Sequence, residues 1–193
     1  PKGFQKVGHI CFAYDDIVYS YGNYDSDSFH LNQTIGDGIF FTVPLEKYIP
    51  NMISAENNSI FEYGIYTTSK QNALIEKEIE KIRQNGYRWY TKIEKEDGYD
   101  RFSEYEMDYP SRLHYRTGAK LYKVKSGKFH IYWALGDNCA SFTDLVLGTL
   151  GADVLSIRGI ISPGTYLDWL QKEYLKKNSP IVFRRIYKEW DSE

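Results

Sequence analysis

The chain holds two cysteines and four histidines. One cysteine stands out by its setting, in GDNCASFTDLVLG at positions 136–148. Asp137 or Asn138 is a good helix N-cap, and Phe142, Leu145 and Val146 recur at the spacing of one helical face. Cys139 therefore falls in a first helical turn, where unpaired backbone N–H groups favour the thiolate over the thiol. A small buried residue starting a core helix is the competing reading of the same position. A nucleophile would also need a base within hydrogen-bond reach. His114 lies in an irregular stretch and His30 in a polar loop, settings that favour exposed histidines. His130 sits in a strand-like run just before the helix. His9 follows a glycine at the start of a strand, so that its ring projects from a sheet end where loops and helix starts meet. Cys11 belongs to an alternating strand pattern. With CxxC and the usual zinc spacings absent, neither a disulfide framework nor a metal site is expected.

The elements that must position these groups are legible in the patterning. GHICFAYDDIVYSYG (8–22) reads as a hairpin turning at Asp15-Asp16, with His9, Cys11 and Ala13 on one face and Ile10, Phe12 and Tyr14 on the other. Its second arm sets Val18, Ser20 and Gly22 against Ile17, Tyr19 and Tyr21. A polar loop and a strand through 38–43 follow, then a strand at 60–67. A helix capped by Ser69 carries Ile75, Ile79 and Ile82 on one face and stops at Asn85-Gly86. Residues 87–118 mix aromatics with acids and read as an insertion or lid. LYKVK and KFHIYWAL form two strands joined across Ser126-Gly127, and Gly151 closes the helix that begins near Cys139. Ser162 and Pro163 start a further helix, with Tyr166, Leu167 and Leu170 as its buried stripe. IVFRRIY closes the chain as a strand.

At 193 residues, without repeats or a break in composition, the chain is expected to form a single domain. A net charge of −2 argues against nucleic-acid binding. No run approaches the ~18 apolar residues of a membrane span, and no signal sequence opens the chain.

GHICFAYDDIVYSYG resembles the strand–turn–strand of the papain-like NlpC/P60 superfamily, and NCASFTDLVLGTLG resembles its NC-x-x-F cysteine helix. ISPGTYLDWL is similar to a Pro-led helix of bacterial members. Here His9 precedes Cys139, the order of the circularly permuted branch. The resemblance implies an α+β fold, circularly permuted, in which an antiparallel half-barrel packs against the cysteine-bearing helix. It also implies roles: Cys139 attacks an acyl carbonyl, His9 holds and then delivers the proton, and the Cys139 N–H with one further donor meets the oxyanion. The position of the orienting third residue falls in VYSYG, on Ser20, where the family more often has His, Asn, Gln or Glu. A water bridge, Asn23 or Asp25 remain alternatives. Tyr21 and Asn138 are candidates to line the substrate cleft.

By the same resemblance the activity is a cofactor-free thiol hydrolase. An amidase or peptidase acting on bacterial peptidoglycan or a peptide comes first, exported or delivered to a periplasm or extracellular space, with a cognate immunity protein as a possible partner. A lipid-acting acyltransferase or phospholipase of the lecithin:retinol-acyltransferase-like branch is the second expectation. Against it, Ala140-Ser141 stand where that branch commonly has Glu-His. A non-catalytic binding module on the same fold is the third.

Overall fold

A computed structural model describes residues 8–95, 103–151 and 162–189. It is a mixed α+β structure built on antiparallel sheets. The hairpin pairs β1 (Phe12–Tyr14) with β2 (Ile17–Gly22), setting Phe12 opposite Tyr19 and Ala13 opposite Val18. Asp15 and Asp16 make the turn with φ of 50° and 57°. Two successive left-handed residues match the right-handed twist of the arms, and aspartate tolerates that region better than most residues.

β2 pairs with β4 (Ile39–Pro44), β4 with β7 (Lys120–Val124), and β7 with β6 (Gly86–Trp89), giving a five-stranded sheet in the order β1-β2-β4-β7-β6. The strand period of two divides its residues between two buried faces. Phe12, Tyr19, Tyr21, Phe40 and Val124 meet Ile75, Ile79 and Ile82 of α2 (Ser69–Gln84) and Phe142 and Val146 of α5 (Cys139–Leu147). On the opposite face, Val18, Ile39, Phe41, Val43 and Leu121 meet Tyr48 of α1 (Leu45–Pro50) and Leu113 of α4 (Tyr109–Thr117). A third cluster joins Ala140 to Tyr166 and Leu170 of α6 (Pro163–Tyr174). It includes Ile181 of β9 (Ile181–Tyr187), which pairs with β5 (Ile60–Ile65).

Several local expectations change. The cap of α2 is Thr68 rather than Ser69, because Gln71 three residues on completes a reciprocal capping box. The stretch 87–118 is more regular than its composition suggests. It contributes most of β6, a short helix α3 (Lys92–Lys95), and α4, which is capped by Asp108 and closed by a left-handed Gly118. Ile93, Met107 and Leu113 are buried there, whereas Glu96, Asp97, Tyr99, Asp100 and Phe102 lie outside the described residues. LYKVK and KFHIYWAL do not form a hairpin. β7 joins the main sheet, while β8 (Ile131–Trp133) pairs with a strand not expected from the sequence, β3 (Ile35–Asp37). α5 ends before Gly151, passing through a 3₁₀ turn at Gly148–Leu150 that the left-handed Gly151 terminates.

Candidate active site

Asn138 anchors the start of α5. Its Oδ1 accepts from the N–H groups of Ala140 (2.9 Å) and Ser141 (3.1 Å), and Ser141 Oγ accepts from the Asn138 N–H at 2.9 Å. The amide Nδ2 donates back to the Ala134 carbonyl at 3.1 Å. These bonds tie the cap residue to the turn before the helix and to its first turn, and Cys139 stands at the first helical position.

His9 lies ahead of β1, after Gly8 with φ +78°. The hairpin brings it to the end of the sheet where α5 begins, and its ring hydrogen-bonds the Cys139 thiol. The other side of the imidazole is held by Ser20: His9 Nε2 lies 2.6 Å from Ser20 Oγ. With Nε2 engaged by serine, Nδ1 is the nitrogen left to face the sulfur. The backbone N–H groups of Ile10 and Ala140 also point at the sulfur.

The electrostatics follow from these contacts. Burial alone would push the Cys139 thiol up, but the His9 charge, its hydrogen bond and the two backbone donors outweigh burial and lower it. Burial alone would lower His9, and the charge and hydrogen bond of Cys139 reverse that, so the imidazole is raised. The two shifts are one coupled effect, each group favouring the charged form of the other. Cys11 behaves in the opposite way, burial pushing its thiol up to about 11. Cys139 is only 4% exposed, whereas His9 keeps solvent-accessible surface.

The remaining candidates have other places. Tyr21 is fully buried, stacks on Phe142 with ring centres 5.0 Å apart, and donates its hydroxyl to the Phe129 carbonyl at 3.0 Å. Gly38 permits that arrangement, since a Cβ there would lie 1.8 Å from the Phe129 oxygen. Tyr21 is therefore a core residue, and Asn138 a buried cap; neither offers the substrate-lining surface expected of it. Of the alternatives to Ser20, Asn23 donates to the Gln33 carbonyl and Asp25 faces Lys123. His130 precedes β8 rather than lying in a strand, and its Nδ1 is 2.8 Å from the Val124 carbonyl. His114 Nδ1 is 2.8 Å from the Ala119 carbonyl. His30 lies in an exposed bridge to Ile35.

The sequence reading did not find Tyr24, whose hydroxyl lies 3.2 Å from Ser20 Oγ. Its only signal is a tyrosine two residues past the end of a strand, which by itself implies nothing. Among the described residues no group of three or more His, Cys, Asp or Glu could hold a metal ion, and no helix is long and apolar enough to cross a membrane. Comparison with protein-family models, curated proteins and solved structures gave no match.

Proposed function

We propose that this chain is a cysteine hydrolase of the papain-like kind, in the permuted NlpC/P60 arrangement, that cleaves an amide bond in peptidoglycan or a peptide. The observation that carries the reading is the contact between Cys139 and His9, with Ser20 on the far nitrogen of the ring. A buried cysteine of purely structural use would have a raised pKa, as Cys11 has; Cys139 is lowered despite its burial.

In this reading the Cys139 thiolate attacks the carbonyl carbon, and an S–C bond forms as the carbonyl π pair moves to oxygen. The N–H of Cys139, at the helix start, is placed to meet that oxyanion. Collapse of the intermediate breaks the C–N bond, and the proton on His9 Nδ1 goes to the departing amine. Water then attacks the thioester, giving a proton to neutral His9. Collapse of this second tetrahedral intermediate breaks the C–S bond, expelling the thiolate and releasing a carboxylic acid that loses its proton to solvent, and the thiolate–imidazolium pair is restored. Action on peptidoglycan places the enzyme's work outside the cytoplasm.

Mass spectrometry of peptidoglycan fragments incubated with wild type and with Cys139→Ala tests the assignment. New termini at an amide bond, absent with the variant, are expected. Fatty-acid release from phospholipid vesicles without peptide cleavage would replace the amidase by the lipid-acting reading. Activity that survives Cys139→Ala would remove the nucleophile.

A further inference from the structure

We propose that Tyr24 is a positioning residue of this site, its hydroxyl holding Ser20 in the orientation that receives the Nε2 proton of His9. The inference rests on the hydrolase reading and extends it by a fourth member, acting through Ser20 and touching no reacting atom.

The geometry is a chain of hydrogen bonds running into the core. His9 Nε2 is 2.6 Å from Ser20 Oγ, and Ser20 Oγ is 3.2 Å from the Tyr24 hydroxyl. Ser20 is completely buried, so its hydroxyl depends on these neighbours for direction. A serine hydroxyl has one proton and two lone pairs. When His9 is an imidazolium, Nε2 carries a proton and Ser20 must accept it, which sends the serine's own proton to the Tyr24 oxygen. That donation polarises Ser20 and makes it a better acceptor for His9, as linked hydrogen bonds reinforce one another. If the Tyr24 oxygen is missing, a buried serine turns its proton toward another group, and nothing maintains the lone pair on the imidazole.

Tyr24 is built to stay where it is. Its ring lies against Phe41 and Tyr109, with centres 5.4 Å and 5.9 Å away. It folds back over the end of β2 because residue 22 is glycine: a Cβ there would come within 2.9 Å of the ring and 3.1 Å of the hydroxyl oxygen. The titratable groups facing it are Tyr109 from α4, Cys139 from α5, and Cys11 from the segment before β1. Burial first, then Tyr109, hold its ionisation well above the usual phenol range, so it remains a neutral hydroxyl throughout the reaction. Its contribution is orientation and dipole rather than charge.

The test is the pH dependence of iodoacetamide alkylation at Cys139, followed by peptide mass spectrometry, in wild type, Tyr24→Phe, Ser20→Ala and the double variant. Tyr24→Phe keeps the ring and deletes the oxygen. Its acid limb is expected to move up by about half a pH unit, which is roughly a threefold slower reaction on that limb. Ser20→Ala should move it at least as far, and the double variant no further than Ser20→Ala alone, because the two side chains act in series. Gly22→Ala, which displaces the ring without altering any hydrogen-bonding group, should shift the limb in the same direction, and it serves if Tyr24→Phe fails to fold. A Tyr24→Phe profile superimposable on wild type, or additive shifts in the double variant, would overturn the relay. If wild-type Cys139 reacts no faster than Cys11, the hydrolase reading itself fails, an outcome distinct from failure of Tyr24 alone.

Discussion

Replacing Asn138 by alanine separates the helix cap from the chemistry it supports. The side chain bonds on both sides of this turn: Oδ1 accepts from Ala140 and Ser141, and Nδ2 donates to Ala134. Loss of an N-cap side chain costs about 1 kcal/mol. Leaving the part-buried Ala134 carbonyl without this donor adds about 1 kcal/mol more. Together these are about 2 kcal/mol, which for a domain of this size lowers the thermal midpoint by roughly 4–8 °C. Asn138→Ser restores an oxygen acceptor but not the second donor, so it should recover about half of that loss. Calorimetry or circular dichroism of the three proteins gives the ordering Asn, Ser, Ala. Because Cys139 is the first helical residue and the Ala140 N–H faces its sulfur, a frayed turn also weakens the thiolate. Alkylation of Cys139 at neutral pH should slow by roughly two- to fivefold in Asn138→Ala, the range expected for a charge at a helix terminus. An alanine variant melting within about 1 °C of wild type, well below the cost of a working cap, would refute this account of how α5 is started.

The hairpin and the positions of His9 and Cys139 were legible for related reasons. Alternation over 8–22 and an Asp-Asp turn describe a two-stranded unit locally, and His9 and Cys139 each sit at the mouth of an element whose start is marked by a glycine or a capping asparagine. What escaped the sequence depends on distant register. Tyr24 reaches Ser20 only because Gly22 leaves room at the strand end and because β4 and α4 supply Phe41 and Tyr109 as walls. Tyr21 is a cleft candidate only through the resemblance carried by VYSYG. Its hydroxyl is instead satisfied internally by Phe129, 108 positions away. The ribbon of β3 and β8 has three residues on each strand and half-exposed apolar side chains, too short for a period-two signal. In 87–118 the buried residues Ile93, Met107 and Leu113 are diluted among charges and aromatics, which hides the helical face of α4. The choice of Thr68 over Ser69 was present in the sequence, since only Thr68 has a glutamine at the third position of the helix.

At pH 7 the Cys11 thiolate, with its pKa near 11, is populated in roughly one molecule in 10⁴, so alkylation should fall on Cys139 first; equal labelling of the two peptides would contradict the lowered Cys139 thiol. Tyr21→Phe removes the donor to the Phe129 carbonyl and should cost about 1–3 kcal/mol in urea unfolding; a variant as stable as wild type would place that hydroxyl bond elsewhere. Phe142→Ala empties the space where four aromatic rings converge and should cost about 3–5 kcal/mol by the same measurement. The most searching case is Cys139→Ser, read by the NMR titration of the His9 ring. Among the described residues no carboxylate holds the His9 ring: its far nitrogen rests on a neutral serine, and a neutral phenol lies beyond that. Two causes raise its pKa, the charge and the hydrogen bond of Cys139, and both depend on the thiolate; burial acts the other way. A serine hydroxyl does not ionise in this range, so the substitution removes the charge and leaves burial in place. The His9 pKa should therefore drop from its raised value toward or below the ordinary 6.5, and the imidazolium form should disappear at a lower pH than in wild type. An unchanged titration would mean that some other group supports the charge on His9, and the imidazolium could not then be attributed to its pairing with Cys139.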